Sequence, residues 1–143
     1  MVRNVLGVLI GGILWMMGFF VLALLLAQLW PEYAIHGREW TKQNLFTFTP
    51  FMACCNLLFW VLAETGGGWA TAKIARHRGA VWALAALIAV YLISLHFILF
   101  WTRFPWWYNL GVVLPAVPAI LFGSKLAMRS GLSGQLQAGA PPA

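Results

Sequence analysis

Residues 5–30 read VLGVLIGGILWMMGFFVLALLLAQLW, a stretch without a single charged side chain. As a helix rising ~1.5 Å per residue, it is long enough to cross a hydrocarbon layer of ~30 Å. It is too long for the apolar region of a secretory leader, and no small-x-small cleavage pattern follows it, so it reads as a retained membrane span. Three more apolar runs lie downstream, at about 50–74, 80–101 and 107–126. In lipid, a helix is the only open element that satisfies its own backbone. The expected fold is therefore all-α, an integral membrane bundle of four transmembrane helices forming one domain over 1–129. No internal repeat relates the first two spans to the last two.

Composition agrees with this reading. Of 143 residues, 62% are hydrophobic and 8% charged, with a mean hydropathy of +0.83. A soluble domain carries ~25% charged residues, so most of this surface must meet lipid. The formal net charge is +6, but the basic residues stand at the ends of apolar runs. That placement marks membrane topology, and no nucleic-acid partner is expected. Arg3, Lys73, Arg76, Arg78, Lys125 and Arg129 fall on one side, and Arg38, Lys42 and Arg103 on the other. The excess places both termini in the cytoplasm (N-in, C-in), in a multi-pass protein of the bacterial inner membrane. Cys54 and Cys55 are adjacent and belong to no metal-binding pattern, so they read as small apolar side chains in a helix.

The connection 31–49, PEYAIHGREWTKQNLFTFT, is the one sizeable extramembrane segment, and Trp40 and Phe46 suit a short helix lying at headgroup level. The tail 130–143, SGLSGQLQAGAPPA, has the composition of a disordered segment. Pro115 and Pro118 in the fourth span each remove a backbone donor, so a kinked or locally opened helix is expected there.

The polar residues inside the spans are the candidate sites. Glu64 is the lone acidic one, ~21 Å from Pro50 by helical rise, with Trp60 one turn before it and Thr71 beyond. A charge at such depth is costly, which points to proton or cation coupling or to an interhelical hydrogen bond. Gly7, Gly11, Gly66, Gly67 and Gly68 are candidates for close packing of span one on span two. His96 and Asn56 come out level, at ~8 and ~9 Å below the same membrane face, so a hydrogen bond between them is expected. With Arg103 and Tyr108 they outline an outward polar site for a lipid or cofactor. His96 alone would serve a pigment, whereas a haem held by two histidines lacks its second ligand, so no cofactor is expected. Trp101, Arg103, Trp106, Trp107 and Tyr108 fit an aromatic belt, with Pro105 in a tight turn between the last two spans.

The ordered series TPFMACCNLLFWVLAETGGGWATAKIA and LHFILFWTRFPWWYNLGVVLPAVPAILFGSKLA resembles a group of small bacterial inner-membrane proteins. Their pattern runs FTxP, AxxIA, a histidine, FPxWY[HN], a proline and GxxLA. The match covers about residues 47–127 and departs at Glu64 beside the triple glycine and at Asn109 in place of the usual histidine. The resemblance implies the four-span fold and assigns no activity. The chain is also similar to the small multidrug transporters in having about four spans and one membrane glutamate near a tryptophan, although theirs lies in span one. No nucleophile–base pair, metal cluster or phosphate loop appears, so neither a catalytic residue nor a metal is expected. The leading expectation is a non-catalytic accessory or structural subunit whose partners are membrane lipids and other transmembrane helices, in a homo-oligomer or a larger complex. A Glu64-dependent proton-coupled transporter and a His96-dependent lipid- or cofactor-binding protein are the alternatives.

Overall fold

The computed structural model describes the backbone of residues 1–43 and 46–138 and the side chains of 1–39 and 46–129. Its elements in chain order are α1 (Val2–Leu29), α2 (Pro31–Gln43), α3 (Pro50–Ala75), α4 (Arg78–Ile93), a π-helical turn continuing α4 (Ser94–Leu99), and α5 (Trp106–Ala138). Four stretches are long and apolar enough to cross a membrane: Val2–Leu29, Pro50–Ala75, Arg78–Leu99 and Trp106–Arg129. The fold is an all-α four-helix bundle with the spans where the apolar runs place them, each displaced by a few residues at most.

Local chemistry sets the boundaries. Thr49 caps α3, its hydroxyl accepting from the Met52 amide at 3.3 Å, and Pro50 occupies the first turn, where its missing N–H costs nothing. Arg76 ends α3 in the left-handed conformation (φ 52°), and His77 starts α4 by accepting from the Gly79 amide at 3.1 Å. The chain therefore reverses within two residues, and α3 and α4 leave this corner antiparallel.

α3 is the central helix. It packs along α1 on one side and α5 on the other, and α4 touches all three. Both long seams rely on absent side chains. A Cβ at Gly7 would come within 2.9 Å of the Ala75 methyl, and one at Gly67 within 2.8 Å of the Gly11 carbonyl oxygen. On the other side, a Cβ at Gly68 would fall inside the Ile120 backbone, and one at Gly123 inside the Thr65 carbonyl. Lipid tails compete with aliphatic side chains for apolar contact, so close approach through small residues supplies much of helix association in a bilayer. The Thr71 hydroxyl reinforces the α1 seam, lying 3.0 Å from the Gly7 carbonyl and 2.9 Å from its own Gly67 carbonyl. Arg3 adds a cross-link at the helix ends, donating to the Ala75 carbonyl from Nε and Nη2 at 3.3 and 3.2 Å.

Three features differ from the sequence-based expectation. Gly66 takes no part in packing within the bundle: it is exposed, and a Cβ there would meet nothing within 4 Å. One residue is a 100° step on a helix, enough to turn it away from the seam that Gly67 enters. Second, of the kink or local opening expected at Pro115 and Pro118, the opening is absent, and α5 stays helical through both. Helix-interior prolines are tolerated in membrane spans where packing and local adjustment satisfy the freed carbonyls. Third, the helix runs on to Ala138, where composition suggests a disordered tail from 130. Residues 139–143 lie outside those described.

The seam geometry separates two glycines that look alike in sequence. Gly68→Ala is expected to destabilise the bundle by about 1–3 kcal/mol, the usual cost of overpacking. Gly12→Ala, whose methyl would meet only Leu84 Cδ1 at 3.8 Å, should change stability by less than ~0.5 kcal/mol. Unfolding in mixed micelles, followed by circular dichroism, measures both; equal effects would refute the close α3–α5 approach.

Candidate functional site

Glu64 stands on α3 between the two seams, with Ala63 and Gly67 turned to α1 and Gly68 to α5. It is fully buried, and neither carboxylate oxygen has a hydrogen-bond partner. Among the described residues, no ion pair reaches it. Trp15 of α1 presses against this region: its ring centroid lies 5.9 Å from Trp60 and 5.7 Å from Tyr91, and its indole N–H is also buried without a partner. Phe19 stacks on Trp60 at 4.2 Å. Glu64 is thus a fully buried acceptor without a partner near the middle of α3. Of its expected companions, Trp60 lies one turn before it on α3 and packs with Trp15 and Phe19. Thr71 is fully buried, but its hydroxyl is engaged with Gly7 and Gly67 two turns away.

The second group of polar residues lies at the opposite end from the termini, around α2 and the α4–α5 turn. The expected Asn56–His96 hydrogen bond is not formed. The Asn56 amide oxygen instead accepts the Tyr33 hydroxyl, and His96 pairs with Asn109, Nδ1 to Oδ1 at 2.8 Å. Backbone geometry is the reason. Ser94–Leu99 widens into a π-helical turn, Phe100 N–H bonds to Leu95 O at 3.1 Å, and the chain reverses before Pro105. Pro105 then starts α5 by accepting from the Tyr108 and Asn109 amides at 3.0 and 3.2 Å. His96 and Asn109 consequently stand opposite one another across the hairpin. Asn109 Nδ2 donates to the Phe104 carbonyl at 3.3 Å, which turns Oδ1 toward His96 and places the imidazole proton on Nδ1. The imidazole is buried, with Phe100 and Phe104 at ring distances of 5.7 and 6.1 Å.

Tyr108 is a core residue rather than part of the aromatic belt: it is 6% exposed and packs on Phe46 and Phe104 at 5.0 and 5.4 Å. Trp101, Trp106 and Trp107 keep the exposure the belt reading requires. Arg103 is exposed, so it does not join the buried His96–Asn109 pair. A short helix does form in the connection, α2, and Phe46 lies beyond its end. It is half-buried among Phe48, Phe104, Trp107 and Tyr108, while the Trp40 side chain lies outside the described residues. Cys54 is exposed and Cys55 half-buried, both as free thiols. Among the described residues, no group of three or more His, Cys, Asp or Glu gathers.

Sequence reading missed two members of this end. Tyr33, in α2, carries no signal of its own beyond lying in a connection. Asn109 does carry one: His96 and Asn109 stand equally far from the middle of the Trp101–Phe104 turn, the condition for facing each other in an antiparallel hairpin. In comparisons with known proteins, no family model, no curated protein and no solved structure matches the chain.

Burial pushes the Tyr33 phenol up to about 12, from an ordinary value of 10.0. An unfolded chain would ionise this phenol near its ordinary value, while the folded one keeps the proton. Its contribution to stability is therefore complete below pH ~10 and is lost as pH rises toward ~12. Unfolding midpoints measured across that window should fall less steeply in Tyr33→Phe than in the unaltered protein. Identical slopes would show that the phenol is not held in the folded state.

Proposed function

We propose that this protein is a non-catalytic subunit of a bacterial inner-membrane assembly, N-in and C-in, which works by presenting transmembrane helix surface to another membrane helix. The observation that supports this is a groove on the outside of the bundle. Gly18, Ala63 and Gly66 form its floor between α1 and α3, and Leu14, Met17, Val21, Leu62 and Trp69 are among its walls. Small residues left open on a membrane-facing surface let a second backbone come close, the same physics that closes the internal seams. Gly66 is the informative member, because no neighbour within the chain needs it to be glycine.

The test fills the groove. Gly66→Leu should leave the four-helix fold intact while dissociating the assembly recovered in mild detergent, seen as a lower mass by light scattering and loss of co-purifying chains. A variant with the same mass and the same partners as the unaltered protein would sink the reading, as would an unaltered protein that is already a lone monomer.

Glu64 favours a second reading, a small proton-coupled transporter. A carboxyl buried near the middle of α3 without an ion pair or donor is an expensive group to retain, and titratable groups of this kind carry protons in membrane pumps and exchangers. In sealed vesicles, Glu64→Gln should abolish proton flux driven by a pH gradient. Equal flux in the variant and the unaltered protein would remove the carboxyl from any coupling role.

A further inference from the structure

The seam chemistry and the buried polar groups leave one feature unexplained, a cavity at the end of the bundle that carries both termini. Its volume is about 870 Å³, and residues of α3, α4 and α5 line it. Lys73, Arg76, His77, Arg78, Ser124 and Lys125 line it together with apolar residues that include Leu121 and the exposed Trp82. The topology rule accounts for how many basic residues lie on this side, but not for their convergence on one cavity.

Two observations say what it would hold. The first is charge without compensation. The chain has three acidic residues, Glu32, Glu39 and Glu64. Glu32 and Glu39 belong to α2, and Glu64 is sealed in the core. Arg76, Arg78 and Lys125 make no ion pair among the described residues, and Lys73 leans over the Trp69 ring at 5.8 Å. The second is local geometry. Arg76 holds a left-handed backbone (φ 52°), a conformation that non-glycine residues rarely adopt. The reversal made there brings Arg76 and Arg78, from the end of one span and the start of the next, to the same cavity mouth. Guanidinium groups bind phosphate oxygens through paired donors, and the N-terminus of α4 adds its positive end to the same place.

Four basic side chains beside apolar ones, at the end of three apolar spans, suit a phospholipid with an anionic headgroup. We propose that this cavity binds an anionic phospholipid, with its headgroup phosphate against Arg76, Arg78 and Lys125 and an acyl chain along Trp82 and Leu121. Basic pockets between membrane helices are suited to such headgroups. This site is independent of the α1–α3 groove, so it stands or falls separately from the proposed subunit role.

The experiment is native mass spectrometry of the full chain in mild detergent, titrated with phosphatidylglycerol or with phosphatidylcholine of identical acyl chains. The unaltered protein is expected to retain phosphatidylglycerol about tenfold more strongly, with the preference shrinking as salt is raised from ~50 to ~200 mM. Arg76→Gln/Arg78→Gln/Lys125→Gln should bring the ratio to about one, whereas Arg38→Gln on α2 should leave it unchanged. The salt titration of the unaltered protein keeps the test decisive if the triple variant does not fold. Equal retention of the two lipids, a preference insensitive to salt, or a preference that survives the triple substitution would overturn the proposal. So would full displacement of the lipid by inorganic phosphate at the same concentration, which would make the site one for a free anion.

Discussion

Close approach of α3 to both of its long neighbours is the constraint on which the rest of the structure depends. Gly67 admits the Gly11 carbonyl on one side, and Gly68 admits the Ile120 backbone on the other. Because these glycines are consecutive, a single turn of α3 serves two seams separated by one helical step. Glu64 lies one turn earlier, at the angle between those seams, and is enclosed by the same approach. The burial of the carboxyl is thus a consequence of the packing, and any motion that exposed it would have to part α3 from α1 or α5.

The two ends of the bundle are built on opposite principles. Where the termini lie, the chain turns sharply at Arg76–His77, and uncompensated positive charge surrounds an open cavity. Around α2 the space is filled with rings: Phe46, Phe104 and Tyr108 pack in mutual contact, with His96 beside them. Two polar pairs form there, Tyr33 with Asn56 and His96 with Asn109. An imidazole so enclosed and so oriented acts first as an element of the hairpin, holding the π-helical turn against the start of α5. Aromatic side chains close this end, whereas large apolar residues stay exposed on the outer faces of α1, α3, α4 and α5.

Much of the fold was legible because a bilayer limits the alternatives. Uninterrupted apolar runs of the right length must be helices, and Lys and Arg mark where they end. The glycine stripe Gly7–Gly11 read correctly as a close-packing face, and span one does pack on span two at the end that carries the termini. Glu64 stood out because a carboxylate is costly in hydrocarbon; the structure buries it, and the interhelical hydrogen bond among its expected roles is not formed. Gly66 and Tyr108 did not read correctly. A residue's identity says that it permits close packing or suits an interface, but its facing depends on helix phase relative to neighbours that the sequence does not place.

The partners of the polar residues show the same division most clearly. Depth along a helix is additive in residue number, so the level of Asn56 and His96 follows from counting. Azimuth is not, because the widened turn at Ser94–Leu99 shifts every later side chain, and α2 brings Tyr33 to Asn56 from outside the spans. By itself the sequence determined that this chain is a four-span membrane bundle, through the free energy of burying apolar length and of satisfying the backbone in lipid. Only the tertiary structure decided which glycines close the seams, which polar groups pair, and that four basic residues meet at one cavity, since those depend on helix rotation and on how each turn redirects the chain.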